Sequence, residues 1–92
     1  LFESLDYPVA DRRMEAFYAE FPAGAPRSPT HSHGSAEFIY LLSGRLAVDV
    51  DGEVTLLDAG DAMYFDSSVP HSYRREGEGA CSALVVTTPG AP

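Results

Sequence analysis

AVDVDGEVTLL, at residues 47–57, contains the clearest β-hairpin signal in the chain. Asp51-Gly52 separates two short runs rich in valine and leucine. Glycine tolerates the positive φ that a tight primed turn demands, so this dipeptide suits a two-residue hairpin loop. The stretch therefore predicts two antiparallel strands joined by a tight turn.

Short strands continue on both sides of this hairpin. From residue 30 onwards, apolar runs are separated by turn residues such as Asp58-Ala59-Gly60-Asp61. Residues 14–21 contain helix formers, but their short length and the Pro22-Ala23-Gly24 that follows favour a strand. The predicted strands are 14–21, 31–33, 37–43, 45–50, 54–57, 62–66, 71–74 and 81–87. Seven or eight strands at this spacing indicate an all-β sandwich or barrel without helices.

Length and charge limit the kind of protein that this chain can be. Its 92 residues suit a single domain. The formal net charge of −8 and the absence of lysine argue against nucleic-acid binding by this chain, because phosphate contacts require clustered Lys and Arg. We therefore expect that this chain alone does not bind DNA.

The sequence also bears on the cellular setting. No apolar run approaches the roughly 20 residues of a membrane span, and no signal segment opens the chain, so we expect a cytoplasmic protein with no membrane partner. The single Cys81 agrees with a reducing compartment. Because the chain starts at Leu1 rather than Met, we expect it to be the C-terminal part of a longer protein.

All three histidines lie in two short segments that together resemble a split metal site. His31 and His33 are two residues apart, which places both rings on one face of a strand. Glu37 follows a Gly-Ser turn and can return a carboxylate to the same point. His71 must arrive from a distant strand, so the fold closes the site.

The residues around these ligands resemble the two motifs of the cupin family. HSHGSAE at residues 31–37, followed after six residues by Gly44, resembles the first motif, His-x-His-x3-Glu-x6-Gly, without a gap. Residues 60–75 resemble the second motif, with Gly60 and His71 at the expected separation. Asp66, Ser68 and Arg75 stand where that motif has proline, glycine and asparagine, so the ligands are retained and turn residues differ.

GDAMYFDSSVPHSYRR, at residues 60–75, is similar to cupin domains fused behind helix-turn-helix (XRE-type) DNA-binding domains in bacterial regulators. The resemblance covers about residues 14–88 and implies a single-domain cupin β-barrel, also called a double-stranded β-helix or jelly roll. It implies that DNA is contacted only through an N-terminal domain that is missing from this chain. It also implies that His31, His33, Glu37 and His71 hold a divalent transition metal. Three imidazoles and a carboxylate suit Zn, Fe, Mn, Ni or Cu, and ligand identity does not separate them. The alternative is that the histidines are remnants of an ancestral site and now only pack and hydrogen-bond.

Strand parity places apolar side chains around the predicted metal. Ile39 and Leu41 share the face of Glu37, so they are expected to line the barrel interior. Tyr73 shares the face of His71 and is expected either to orient a ligand or to pack. The predicted ligand-binding walls are Ile39, Leu41, Val48, Met63, Phe65 and Tyr73. A small, mostly apolar cavity of this kind suits a small-molecule effector.

Other polar residues receive structural interpretations, and no residue is assigned a catalytic role. Asp61 is predicted to satisfy backbone N–H groups in a turn. Ser67 and Ser68 are predicted to lie in a loop, because no glycine-flanked serine elbow surrounds them. Cys81 lies in an apolar run and is predicted to be an inert core thiol.

The resemblance and the pattern together predict the ligand-sensing and dimerising domain of a bacterial transcriptional regulator. Phe38, Tyr40 and Leu42 alternate with the ligand-bearing face, so they are expected to form an outward apolar stripe at a homodimer interface. One rival hypothesis is a stand-alone metal-dependent enzyme such as a dioxygenase or isomerase. Another is a sugar- or metabolite-binding module without chemistry.

Overall fold

The computed structural model describes residues 2–5, 13–22 and 36–88, and the elements below all lie within them. The described residues form eight β-strands and no helix, so none forms a helix long and apolar enough to cross a membrane. The strands are β1 (Phe2–Ser4), β2 (Glu15–Glu20), β3 (Glu37–Ser43), β4 (Arg45–Val50), β5 (Glu53–Asp58), β6 (Ala62–Phe65), β7 (His71–Glu76) and β8 (Ser82–Thr87). The all-β prediction is confirmed.

The strands form two antiparallel sheets. The larger sheet has the order β1-β2-β8-β3-β6, and the smaller sheet has the order β5-β4-β7. Strands adjacent in sequence therefore often lie in different sheets, so the chain passes repeatedly from one sheet to the other. This double-sheet arrangement of antiparallel strands is that of a jelly-roll barrel.

The predicted hairpin joins β4 and β5 in the smaller sheet. Asp51 and Gly52 have φ of 53° and 89°. Both values are positive, as the type I′ turn of a two-residue hairpin requires. The Asp49 carboxylate accepts a hydrogen bond of 2.9 Å from the Gly52 N–H. Val50 and Glu53 form the register pair that closes the hairpin, so the second strand starts one residue before its predicted beginning at Val54.

The core lies between the two sheets and is formed by alternate residues of the central strands. Along β3, burial alternates residue by residue, so Ile39 and Leu41 are buried while Phe38, Tyr40 and Leu42 are exposed. Leu46 and Val48 of β4 face them from the smaller sheet and are fully buried. The inward and outward faces of β3 predicted from parity are therefore confirmed.

Gly44 makes the one-residue crossing from the larger to the smaller sheet, between β3 and β4. Its φ is +83°, a region that residues with a Cβ rarely adopt. A Cβ at this position would overlap the carbonyl oxygen of Ala80 and lie 2.9 Å from Cα of Cys81. Glycine is therefore required here both by the backbone angle and by close packing.

Five of the predicted strands have observed bounds that differ by one or two residues, namely β2, β5, β6, β7 and β8. The strand predicted over 62–66 ends at Phe65, because the Asp66 carboxylate accepts hydrogen bonds from the backbone N–H and the hydroxyl of Ser68 and forms a turn. The strand predicted over 71–74 continues to Glu76, where it pairs with Arg45. β1 was not predicted, and it is held by antiparallel pairing with β2. The strand predicted over 31–33 lies outside the described residues.

Candidate metal and ligand site

Glu37 and His71 meet at one end of the barrel. Glu37 is the first residue of β3 in the larger sheet, and His71 is the first residue of β7 in the smaller sheet. Both side chains face inward and are almost completely buried. Two of the four predicted metal ligands are thus brought together across the interior by the packing of the two sheets.

The distance between these side chains suits a shared metal ion. Nε2 of His71 lies 3.7 Å from Oε1 of Glu37. Imidazole and carboxylate ligands bind first-row ions at about 2.0–2.2 Å, so two of them on one ion lie about 3.0–3.5 Å apart. A movement of a few tenths of an ångström would therefore bring both atoms to one ion.

A hydrogen bond fixes the orientation of His71. Nδ1 of the ring lies 2.9 Å from the carbonyl oxygen of Val69. Because a carbonyl only accepts, Nδ1 is the donor in this bond, which leaves Nε2 as the ring nitrogen that can bind a metal. Nε2 faces Glu37. Metal-binding histidines commonly donate their second ring N–H to a carbonyl in this way.

Burial makes the Glu37 carboxylate electrostatically unusual. Desolvation raises the pKa of Glu37 above its ordinary value, and the neighbouring His71 opposes this only in part. A buried carboxylate is costly unless positive charge or hydrogen bonds compensate for the lost water. A divalent cation between Glu37 and His71 would supply that charge, so the residues present fit a metal.

Aromatic and aliphatic side chains surround the pair. The ring of Phe65 meets that of His71 edge to face at a centroid distance of 5.1 Å, and the ring of Tyr73 does so at 6.3 Å. Edge-to-face geometry at these distances is favourable for aromatic rings. The imidazole is therefore packed against two aromatic rings.

The predicted ligand-binding walls all lie on the interior side of the barrel. Ile39, Leu41, Val48, Phe65 and Tyr73 belong to the buried core, and Met63 is partly buried against it. Met63 pairs with Ile39 and Phe65 pairs with Glu37, so both residues of β6 share the inward face. Their contact with an effector stays a prediction.

The other two predicted ligands, His31 and His33, lie outside the described residues. Within residues 2–5, 13–22 and 36–88, no group of three or more His, Cys, Asp and Glu side chains is close enough to hold a metal ion. The four-ligand site therefore stays a prediction, and the structure describes only Glu37 and His71 of its four ligands.

The residues given structural interpretations occupy the expected settings. The carboxylate of Asp61 accepts a hydrogen bond of 2.8 Å from the N–H of Asp58 in the turn before β6. Ser67 and Ser68 lie in a turn, although Ser67 is fully buried. Cys81 is buried in the core cluster, and its thiol lies 3.6 Å from the carbonyl oxygen of Arg45.

The inward position of Arg75 was not predicted from the sequence. Arg75 pairs with Leu46, which is fully buried, so its side chain starts on the inward face of β7 together with His71 and Tyr73. The signal was present, because residues 71, 73 and 75 share strand parity. An arginine on an inward face is unusual.

Comparison with known proteins connects this geometry to a family. The family model described as "Cupin domain" matches residues 17–87. A curated relative, the HTH-type transcriptional regulator SutR of Escherichia coli (strain K12), is 35% identical over 66 residues, which cover 71% of this chain and 37% of SutR. Another, the polyketide synthase CurC of Streptomyces cyaneus, is 34% identical over 67 residues, which cover 72% of this chain and 44% of CurC. The chain thus spans about two fifths of the length of these relatives.

Solved structures give the same result at the level of the fold. The Cupin_2 domain of an XRE family transcriptional regulator from Enterobacter cloacae has a TM-score of 0.81 and 22% identity, covering 100% of this chain and 96% of that one. An HTH_3 family transcriptional regulator from Vibrio cholerae has a TM-score of 0.77 and 28% identity, covering 96% of this chain and 50% of that one.

Proposed function

This chain is a member of the cupin family, and on that premise we propose that it is the metal-binding, ligand-sensing domain of a bacterial transcriptional regulator. The DNA-binding domain would lie elsewhere in the same protein. The likeness to SutR and to the Vibrio cholerae regulator supports the regulatory role. The chain's net charge of −8 agrees with a domain that leaves DNA contact to another part of the protein.

The observation that carries the metal part of this proposal is the Glu37–His71 pair. Nε2 of His71 and the carboxylate of Glu37 face each other at 3.7 Å inside an apolar barrel, and Nδ1 of His71 donates to the Val69 carbonyl. His31, His33, Glu37 and His71 would hold the ion, which would offer an open coordination position to an effector oxygen or nitrogen. The apolar walls would exclude water and select the effector's shape.

The exposed face of the larger sheet supports a homodimer. Phe38, Tyr40 and Leu42 keep 39%, 37% and 41% of their surface exposed on the outward face of β3. Phe38 lies between Tyr64 and Val86 in the sheet, so the apolar stripe extends onto both neighbouring strands. Covering it with a second copy would gain about 25 cal/mol per Å² of apolar surface, before the cost of docking.

The mechanism that follows is a shift between dimer arrangements. An effector changes such an equilibrium only to the extent that it binds one arrangement better than the other. Glu37 starts the strand that also carries the outward stripe, so ligand contacts inside the barrel and subunit contacts outside it share β3. This strand is the element through which effector binding would bias the spacing of two attached DNA-binding domains.

Metal content and co-purified ligands test the proposal. We expect about one transition metal ion per chain in protein grown with metal supplementation, measured by elemental analysis, and loss of that ion in His71→Ala. Arg74→Gln, an exposed change on the same strand, is the control and should retain the metal. Native mass spectrometry should detect a small molecule that binds the parent and not His71→Ala. Equal metal content in the parent and His71→Ala would refute the metal site.

A second candidate is a metal-dependent enzyme. The likeness to the polyketide synthase CurC, at almost the same identity as SutR, favours it. Turnover of a substrate by the metal-loaded chain would support this candidate. Tight effector binding without turnover would support the sensor.

A further inference from the structure

A cavity opens at the end of the barrel opposite to Glu37 and His71. Its volume is about 570 Å³, within the range of about 300–1,000 Å³ that small-molecule sites occupy. It is lined by the last residues of β2, β3 and β7 and by the residues leading into β8, whereas Glu37 and His71 are the first residues of their strands. His71 and Arg75 are four residues apart on β7, which separates their Cα atoms by about 13 Å.

Arg75 is the cation of this cavity. It lines the cavity from the inward face of β7, and its Nε atom is buried with no hydrogen-bond partner among the described residues. Two other arginines have a carboxylate acceptor for Nε, since Arg74 donates to Glu76 and Arg45 donates to Asp58. Because Nε has almost no accessible surface, a ligand in the cavity would meet the rest of the guanidinium, and a carboxylate is the acceptor whose planar geometry a guanidinium matches best.

A second donor lies in the same cavity. The hydroxyls of Ser43 and Ser82 are 2.8 Å apart, and both residues line the cavity. One hydroxyl donates within the pair, so the proton of the other hydroxyl is available for a further acceptor. The cavity therefore offers a charged donor and a neutral donor.

The remaining lining selects the rest of the ligand. Tyr18, Phe21, Ala80 and Cys81 supply apolar surface. Glu20 and Glu78 also line the cavity, and their negative charge disfavours a ligand with more than one anionic group. The combination suits one carboxylate attached to a compact apolar body.

We propose that this cavity binds a small organic monocarboxylate whose carboxylate pairs with Arg75 and accepts a hydrogen bond from the Ser43–Ser82 pair, with its apolar part against Tyr18 and Phe21. This cavity is separate from the proposed metal centre, so the carboxylate proposal does not depend on the proposed sensor function. The ring of Phe21 also contacts Tyr73 edge to face at 6.1 Å, and Tyr73 lies next to His71, so this chain of rings joins the two sites.

Titration of the full chain with hexanoate and benzoate tests this proposal, with EDTA present so that a metal site contributes nothing. We expect saturable binding by calorimetry and by protein NMR shifts at the cavity. Hexanamide, which is uncharged, and succinate, which carries two charges, should both bind more weakly. The comparison between hexanoate and hexanamide needs no variant, so it stands even if a substitution unfolds the protein.

Two variants on adjacent positions separate a cavity site from general charge effects. Arg75→Gln should weaken hexanoate binding about tenfold or more, because it removes the charged hydrogen-bond donor that pairs with the carboxylate. Arg74→Gln removes the same charge from an exposed position and should leave binding unchanged. Glu78→Gln should tighten binding by removing a like charge. Equal binding of hexanoate and hexanamide, equal binding by the parent and Arg75→Gln, or no binding at millimolar ligand would each overturn the proposal.

Discussion

Nε2 of His71 lies 3.7 Å from Oε1 of Glu37, although the two residues begin strands in different sheets. Their approach depends on how β3 and β7 pack across the barrel. The hydrogen bond from Nδ1 of His71 to the Val69 carbonyl then directs Nε2 toward the carboxylate. This relationship is the structural basis of the proposed metal centre.

Glu37→Gln should weaken metal binding by about tenfold or more. The substitution keeps the shape of the side chain but removes the negative charge, and carboxylate ligands bind as anions. Glu53→Gln removes the same charge from an exposed position on β5 and is the control. Isothermal titration with Zn²⁺ or Mn²⁺ measures both affinities. The same affinity in both variants would remove Glu37 from the ligand set.

Phe38→Asp should convert a dimeric parent to a monomer. A charge on the outward stripe of β3 would be buried without a partner in the proposed interface, and such burial strongly disfavours association. Light scattering at tens of micromolar protein measures the mass. Val54→Asp, at an exposed position on the smaller sheet, should remain dimeric. A monomeric parent would rule out the dimer, and a dimeric Phe38→Asp variant would place the interface elsewhere.

Gly44→Ala should destabilise the fold more than Gly77→Ala does. The two glycines have nearly the same φ, +83° and +81°, so each substitution carries a backbone cost of about 1–2 kcal/mol. Only at Gly44 would the added Cβ overlap a neighbour, the Ala80 carbonyl, whereas nothing lies within 4 Å at Gly77. Overpacking adds about 1–3 kcal/mol at Gly44. Urea denaturation of both variants measures the difference, and equal losses would show that the Ala80 segment moves aside freely.

Cys81 should react slowly with iodoacetamide near pH 8 and faster as the pH rises beyond about 9. Burial raises the pKa of the Cys81 thiol above its ordinary value of 9.0, and Arg75 opposes this only in part. The thiolate is the reactive form, so a higher pKa means less of it at a given pH.

The same measurement probes the environment of Arg75. Arg75→Gln removes the opposing positive charge, so it should raise the pKa of Cys81 further and slow the reaction, while Arg74→Gln should not. The chain in urea provides the reference rate for an exposed thiol. A parent that reacts in buffer as fast as in urea would contradict the buried setting of Cys81.

The sequence predicted the features that depend on local patterns. Asp51-Gly52 selected the β4–β5 turn because few residues tolerate two successive positive φ values. Alternation along β3 separated Ile39 and Leu41 from Phe38 and Tyr40, since a strand with one buried face must follow a period of two. Side-chain type and motif spacing predicted that Glu37 and His71 belong to one site, although neither indicates which strands are adjacent.

Only the tertiary structure decided which strands are neighbours and which inward residues share a space. Strand partners are chosen by packing between segments far apart in sequence, so local patterns did not reveal that β8 lies between β2 and β3, or that β1 pairs with β2. For the same reason, the sequence did not predict the environment of Arg75. Strand parity indicates that Arg75 faces inward, but the cavity that it lines is formed by β2, β3, β7 and the residues leading into β8. Local chemistry thus determined the strands, the turns and the candidate ligands, and the packing of two sheets determined where those side chains meet.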